Sequence, residues 1–178
     1  MADTSVSHKW LYRGLYIVIA LVTYYIHLLP LQTIPRGWGL PDILLCLTFA
    51  WALRRPEYVP LTLVAALFFL GDMLFQRPPG LQSAAIILGL EFLRTRRGDV
   101  RAATFPTEWF MVVVTMVGIL IFTRFVSAIA LLDPPSLRLT LIQFVITAAC
   151  YPFIAGLSSV LFKVRYPAAN DISDRALT

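Results

Sequence analysis

The sequence predicts an all-α membrane protein, a six-helix transmembrane bundle forming a single polytopic domain over residues 1–178. Hydrophobic residues make up 58% of the chain and charged residues 14%, well below the roughly one quarter that a water-facing surface requires. The apolar residues also come in long unbroken runs instead of alternating faces, so the solvent they suit is lipid. Short Pro-, Gly- and Arg-rich separators punctuate those runs.

The apolar segments span 14–31, 40–53, 57–76, 80–93, 109–132 and 138–162. The separators are Thr33 to Gly37, Arg54-Arg55-Pro56, Gln76 to Gly80, Arg94 to Pro106 and Asp133-Pro134-Pro135. Proline cannot continue a helix and glycine permits the turn, so each separator is a chemical stop and start. The first run follows Lys9 and Arg13 and resembles a signal sequence. It is too long for one and lacks a small-residue cleavage site, so it is read as the first permanent helix. The second and fourth segments supply only about 20 Å of helix against a hydrocarbon core of roughly 30 Å. They recruit flanking residues, sit shielded by neighbours, or one of them does not cross. Residues 1–13 and 163–178 are expected to be short cytoplasmic tails.

The net charge of +5 does not point to nucleic acid, because the basic residues cluster between apolar runs. They follow the positive-inside pattern. With six crossings, Lys9, Arg13, Arg54, Arg55, Arg94, Arg96, Arg97, Arg101, Lys163, Arg165 and Arg175 fall on the cytoplasmic side, leaving Arg36, Arg77 and Arg138 outside. An N-terminus-out arrangement follows if the second segment fails to cross. Cys46 and Cys150 lie inside apolar runs with no CxxC spacing, which reads as buried thiols.

Catalytic constellations are almost absent: there is no GxSxG, HExxH, P-loop or dinucleotide fingerprint. No cofactor or metal ligand set is expected. His27 reads as an interfacial histidine. Charges within apolar segments are costly and demand an account. Asp72 lies about 6 Å from the outer end of the third helix, and Arg124 lies deep enough in the fifth to need a partner. Asp42 follows Pro41 at the outer start of the second helix, where a carboxylate meets the N-terminal dipole. Asp42, Asp72 and Arg124, with Arg36, Arg77 and the turn at Gly80, therefore form an expected outer polar cluster. It serves either as internal salt bridges, with Asp72 and Arg124 interacting directly or through water, or as a docking or ligand-facing pocket. Glu91 is expected to meet Arg54, Arg55 or Arg94. Small residues at helical spacing mark helix contacts: Thr62 and Ala66, Ala85 and Gly89, and Ala149 with Pro152 and Gly156. Pro152 kinks the sixth helix unless neighbours satisfy the carbonyl it frees.

Four motifs occur in order: Leu40-Pro41-Asp42-Ile43-Leu44-Leu45, Trp51-Ala52-Leu53-Arg54-Arg55-Pro56-Glu57, Gly71-Asp72, and Pro79-Gly80-Leu81-Gln82. This run, within roughly residues 36–97, resembles the rod shape-determining MreD family, with Leu40 where that family has Arg and Pro79 where it has Leu. The resemblance implies a non-enzymatic inner-membrane component of the bacterial elongation machinery. It further implies binding to the scaffold MreC, and an indirect link between MreB filaments and the peptidoglycan synthases, the glycosyltransferase RodA and a class B penicillin-binding transpeptidase. It also implies a fold resembling the S components of energy-coupling-factor transporters. A substrate-binding membrane subunit of a small-solute transporter is the competing reading. A membrane enzyme is a third, and it lacks residues to stand on.

Overall fold

The computed structural model describes residues 3–29, 41–98, 105–132 and 136–161. Six helices run through them: α1 (Asp3–Leu28), α2 (Ile43–Arg54), α3 (Leu61–Leu74), α4 (Leu81–Thr95), α5 (Phe105–Ile129) and α6 (Leu137–Leu161). Three stretches are long and apolar enough to cross a membrane, Lys9–Leu28, Phe105–Ile129 and Leu137–Val160. The all-helical class and the order of the six segments agree with the sequence.

The short helix α2 is the centre of the molecule. Every residue from Leu44 to Arg54 is buried, under α1, α4 and α6. Its length of about 18 Å suits a helix enclosed by its neighbours from Leu44 onward, the shielded option. Apolar burial gives no driving force inside a bilayer, so helices there are held by close packing and hydrogen bonds. Both are present around α2. Thr48 donates its hydroxyl proton to Leu44 O at 2.6 Å, so the Tyr16 hydroxyl at 2.7 Å is the donor to Thr48 and ties α1 to α2. Trp51 Nε1 donates to Ser158 Oγ at 2.6 Å and ties α2 to α6.

The helices begin four or more residues from the expected bounds in three places, α3 late, at Leu61 rather than 57, and α1 and α5 early. The helix α1 begins at Asp3 rather than near residue 14, so the expected tail 1–13 is helical from residue 3. Its Lys9 and Arg13 meet Glu57, by a 3.6 Å ion pair and by Arg13 Nε donating to Glu57 O at 3.2 Å. The helix α5 begins at Phe105, four residues early. Pro106 there occupies the first turn, where its missing N–H has no helical partner to lose.

Close approach occurs where small residues sit, though not at all the expected ones. Ala85 is buried, and a Cβ on Gly89 would lie 2.9 Å from Ile119 Cδ1 and from Thr115 Cγ2. The α4–α5 contact is therefore built on Gly89. A Cβ on Gly71 would lie 2.7 Å from the Tyr24 hydroxyl oxygen, a contact the sequence did not suggest. Thr62 and Ala66 are exposed. Gly156 opens on empty space and Ala149 is exposed, a correction to the expected packing stripe. The alanines of α6 that pack inward are Ala148 and Ala155, one position earlier on the helix. Pro152 stays inside α6 because the carbonyl it frees, that of Ala148, accepts from Trp109 Nε1 at 2.9 Å.

Candidate functional site

The α3–α4 turn brings the motif carboxylates together. After α3 the chain reverses through Gln76 (φ +52°) and Gly80 (φ +85°), and the left-handed backbone at the second position is one that glycine adopts without strain. The reversal leaves the first amides of α4 without helical partners. The buried Asp72 carboxylate supplies them: its Oδ2 accepts from Gly80 N at 3.2 Å and Ser83 N at 3.1 Å. Asp72 thus caps the following helix from the end of its own. Asp42 caps α2 in the ordinary way, its Oδ1 accepting from Leu45 N at 3.0 Å. Its own N–H donates to Thr147 Oγ1 at 3.1 Å on α6. Each carboxylate therefore sits at a helix N-terminus, where amides and the dipole stabilise negative charge.

Between these two caps lies a cavity of about 260 Å³. Thr23, Tyr24 and His27 line it from α1, Asp42 and Leu44 from the start of α2, and Phe68, Gly71, Asp72 and Phe75 from α3 and its end. Arg77, Gln82 and Gln143 complete the wall. Gly71 lets Tyr24 close one side, where the phenol donates to Leu67 O at 2.9 Å. The Arg77 guanidinium lies over the Phe75 ring, 5.4 Å from its centroid, and is exposed at the rim. The lining is mixed, with two carboxylates, one guanidinium, two amides and aromatic faces, suited to a polar group that is partly apolar.

The structure thus brings together Asp42, Asp72 and Arg77, with Gly80 holding the turn. It does not bring Arg124 to them. Arg124 Nη2 donates to Thr140 Oγ1 at 2.6 Å, bridging α5 and α6, while Asp72 is satisfied by backbone amides. The expected direct Asp72–Arg124 pair is absent. Arg36 lies outside the described residues. His27 hydrogen-bonds Thr23 O through Nδ1 at 2.8 Å and lines the cavity, where an interfacial role alone was expected.

A second polar assembly, at the opposite end of α2, was not expected. Arg54 is 7% exposed and Glu108 3%. Arg54 Nη1 donates to Ala155 O at 2.7 Å, its Nη2 lies 3.5 Å from Glu108 Oε1, and the Tyr151 hydroxyl donates to the same oxygen at 2.8 Å. Arg97 donates to Leu53 O at 2.8 Å and Arg54 O at 3.0 Å, closing the last turn of α2. Tyr12, Tyr58 and Trp51 pack as an aromatic group beside it, Tyr12 and Tyr58 stacked at 4.4 Å. Burial there pushes the Tyr58 phenol above its ordinary pKa. Of the three arginines expected to meet Glu91, Arg94 feels its charge, while Arg54 goes to Glu108. Among the sequence signals, Gln143 and Thr147 stand at i, i+4 in an apolar run and mark the cavity-facing side of α6. Glu108 stands one residue before the 109–132 segment, between it and the separator that ends at Pro106, so hydropathy gives it no place in a helix.

Among the described residues, no group of three or more His, Cys, Asp or Glu is placed to hold a metal ion. Comparison with known proteins finds no matching family model, curated protein or solved structure.

Proposed function

We propose that this chain is a non-enzymatic inner-membrane component of the bacterial cell-elongation machinery, of the rod shape-determining MreD type. In this reading it binds the scaffold MreC and so links MreB filaments to RodA and its transpeptidase. Its fold is a six-crossing bundle resembling the S components of energy-coupling-factor transporters, with both termini cytoplasmic. One observation carries the reading: the four motifs behind the resemblance are not scattered but become two junctions at opposite ends of α2. Pro41-Asp42 and Gly71-Asp72 face one cavity, with Gly80 of the fourth motif bound to Asp72. Trp51 to Glu57 fastens α2 to α1, α5 and α6. The first junction is a recessed, preorganised surface bordered by the stiff Pro78-Pro79-Gly80 turn, which suits capture of a partner segment.

The test is capture of MreC from membranes. Asp42→Lys reverses one wall charge, and Gln82→Trp fills the cavity without touching either helix cap. Both are expected to insert normally and to weaken capture by roughly tenfold or more, as for a central interface residue. Capture equal to the parent in both variants overturns the docking assignment. The cavity itself favours a second reading, a solute-binding membrane subunit. A small molecule that co-purifies with the parent and is lost in Gln82→Trp, with no MreC captured, selects that reading instead.

A further inference from the structure

The cavity between the Asp42 and Asp72 caps presents hydrogen-bond acceptors that the fold leaves open. Asp72 is 2% exposed, and both of its amide donors go to Oδ2. Its Oδ1 meets no donor among the described residues. Nor is that oxygen sealed in, because the enclosed side-chain atoms without a partner are Arg54 Nε and Arg94 Nε. An unpaired, accessible oxygen on a buried residue opens on the space that the residue lines, here the 260 Å³ cavity. Asp42 repeats the arrangement in a half-buried setting: Oδ1 takes Leu45 N, and Oδ2 takes no donor among the described residues. The Tyr24 phenol, also in the lining, feels both charges. The half-buried side-chain amides of Gln82 and Gln143 face the same space and make no hydrogen bond among the described residues.

These groups select the chemistry of an occupant. An anion would face two carboxylates, and an apolar group would leave their oxygens unpaired. A cation with N–H donors satisfies them through charge-assisted hydrogen bonds. Between an ammonium and a guanidinium the walls favour the second. A guanidinium is planar and weakly hydrated, reaches several acceptors at once, and stacks its faces on aromatic rings. Phe68 and Phe75 supply such rings. The rim already displays the contact: the exposed Arg77 guanidinium lies 5.4 Å from the Phe75 centroid. At 260 Å³ the space is smaller than the roughly 300–1,000 Å³ of pockets for drug-sized ligands, so it suits one side chain.

We propose that the cavity is a receptor for one guanidinium group, with Asp42 and Asp72 as its acceptors and Gln82 and Gln143 as neutral partners. This deepens the docking reading, on which the source of the group rests: an arginine side chain of the captured partner segment. A free guanidinium solute is the other source of the same chemistry.

The probe is methylguanidinium chloride, added at millimolar concentration and constant ionic strength to the detergent-purified full chain and read by thermal unfolding. Tetramethylammonium carries the charge without N–H donors, and methylurea has the shape without the charge. Methylguanidinium alone is expected to stabilise, by about 3 °C at ten times its Kd. Asp42→Asn keeps an oxygen for the Leu45 cap and removes the charge, whereas Gln82→Trp fills the space. Each is expected to weaken methylguanidinium roughly tenfold, and Gln82→Trp decides alone if Asp42→Asn does not fold. Methylguanidinium is also expected to displace MreC from the parent, which makes the group the partner's. Probe binding with no MreC captured makes a free solute the source, so the docking reading fails while the receptor stands. MreC captured equally by the parent and a folded Asp42→Asn, with methylguanidinium inert, leaves docking standing and overturns the receptor. Equal stabilisation by either control compound, or a shift unchanged in Gln82→Trp, also overturns it. So does a shift that emerges only after Arg36→Gln, which would make the chain's own arginine the occupant.

Discussion

Glu108 receives two partners on one oxygen, the Tyr151 hydroxyl at 2.8 Å and Arg54 Nη2 at 3.5 Å. The longer contact is at the limit of a hydrogen bond, so Arg54 and Glu108 are held together chiefly by charge in a low-dielectric setting. Removing one partner leaves the other charge buried and uncompensated, at a cost of about 3–5 kcal/mol, while replacing both with apolar groups is far milder. Glu108→Leu and Arg54→Met are therefore each expected to lower stability strongly, and the double variant by less than their sum. Thermal unfolding of the purified variants checks this, and strictly additive losses would show that the two side chains are independent. The pair was hidden in the sequence for a physical reason. Pro106 reads as a helix breaker, so the apolar run alone marks the helix start, at 109 and past Glu108, yet proline in a first turn loses nothing and lets the helix begin before it. Asp42 was legible because it follows Pro41 at a turn, and Asp72 because it is a charge inside an apolar run. Their individual partners were not, since a carboxylate satisfied by backbone amides needs no countercharge, and Arg124 was paired with Asp72 on depth alone.

At the scale of the helix, hydropathy located all six elements and proline and glycine placed their ends within a few residues, apart from the starts of α1, α3 and α5. Which face of each helix turns inward was less legible, because a lipid-facing side is as apolar as a protein-facing one. The result is visible on α6, where Ala149 and Gly156 share the outward face with Val145, Phe153 and Val160, while Ala148 and Ala155 pack inward. Gly89 and Gly156 thus make a contrast that one scan can read. A methyl at Gly89 would meet Thr115 Cγ2 at 2.9 Å, a stub with no freedom to swing away, so Gly89→Ala is expected to destabilise by about 1–3 kcal/mol through overpacking. Gly156→Ala enters open space and is expected to be neutral or slightly stabilising, from helix propensity. Unfolding temperatures of the two variants that do not differ would show that α4 and α5 are not in the described register.

The helices alternate in direction, and the contacts at each end of α2 show it for the whole molecule. The Lys9 and Arg13 turn of α1, the end of α2, the end of α4, the start of α5 at Glu108 and the end of α6 at Ala155 and Ser158 all gather around Arg54. The far ends of α1 and α3 and the start of α2 gather around the Asp42 cavity. Described cations divide unequally between these ends: Lys9, Arg13, Arg54, Arg55, Arg94, Arg96 and Arg97 at the first, Arg77, Arg124 and Arg138 away from it. Where connections are short, the end richer in Lys and Arg is retained in the cytoplasm. The buried Arg54 contributes little to that choice because Glu108 neutralises it, but the helix ends around the α2–α3 connection remain strongly basic without it. Both the start of α1 and the end of α6 lie at this basic end, so reporter fusions at residue 5 and residue 172 are both expected to read as cytoplasmic. An alkaline phosphatase fusion at residue 5 that is active in the periplasm would leave five crossings. It would place the basic end around Arg54 outside.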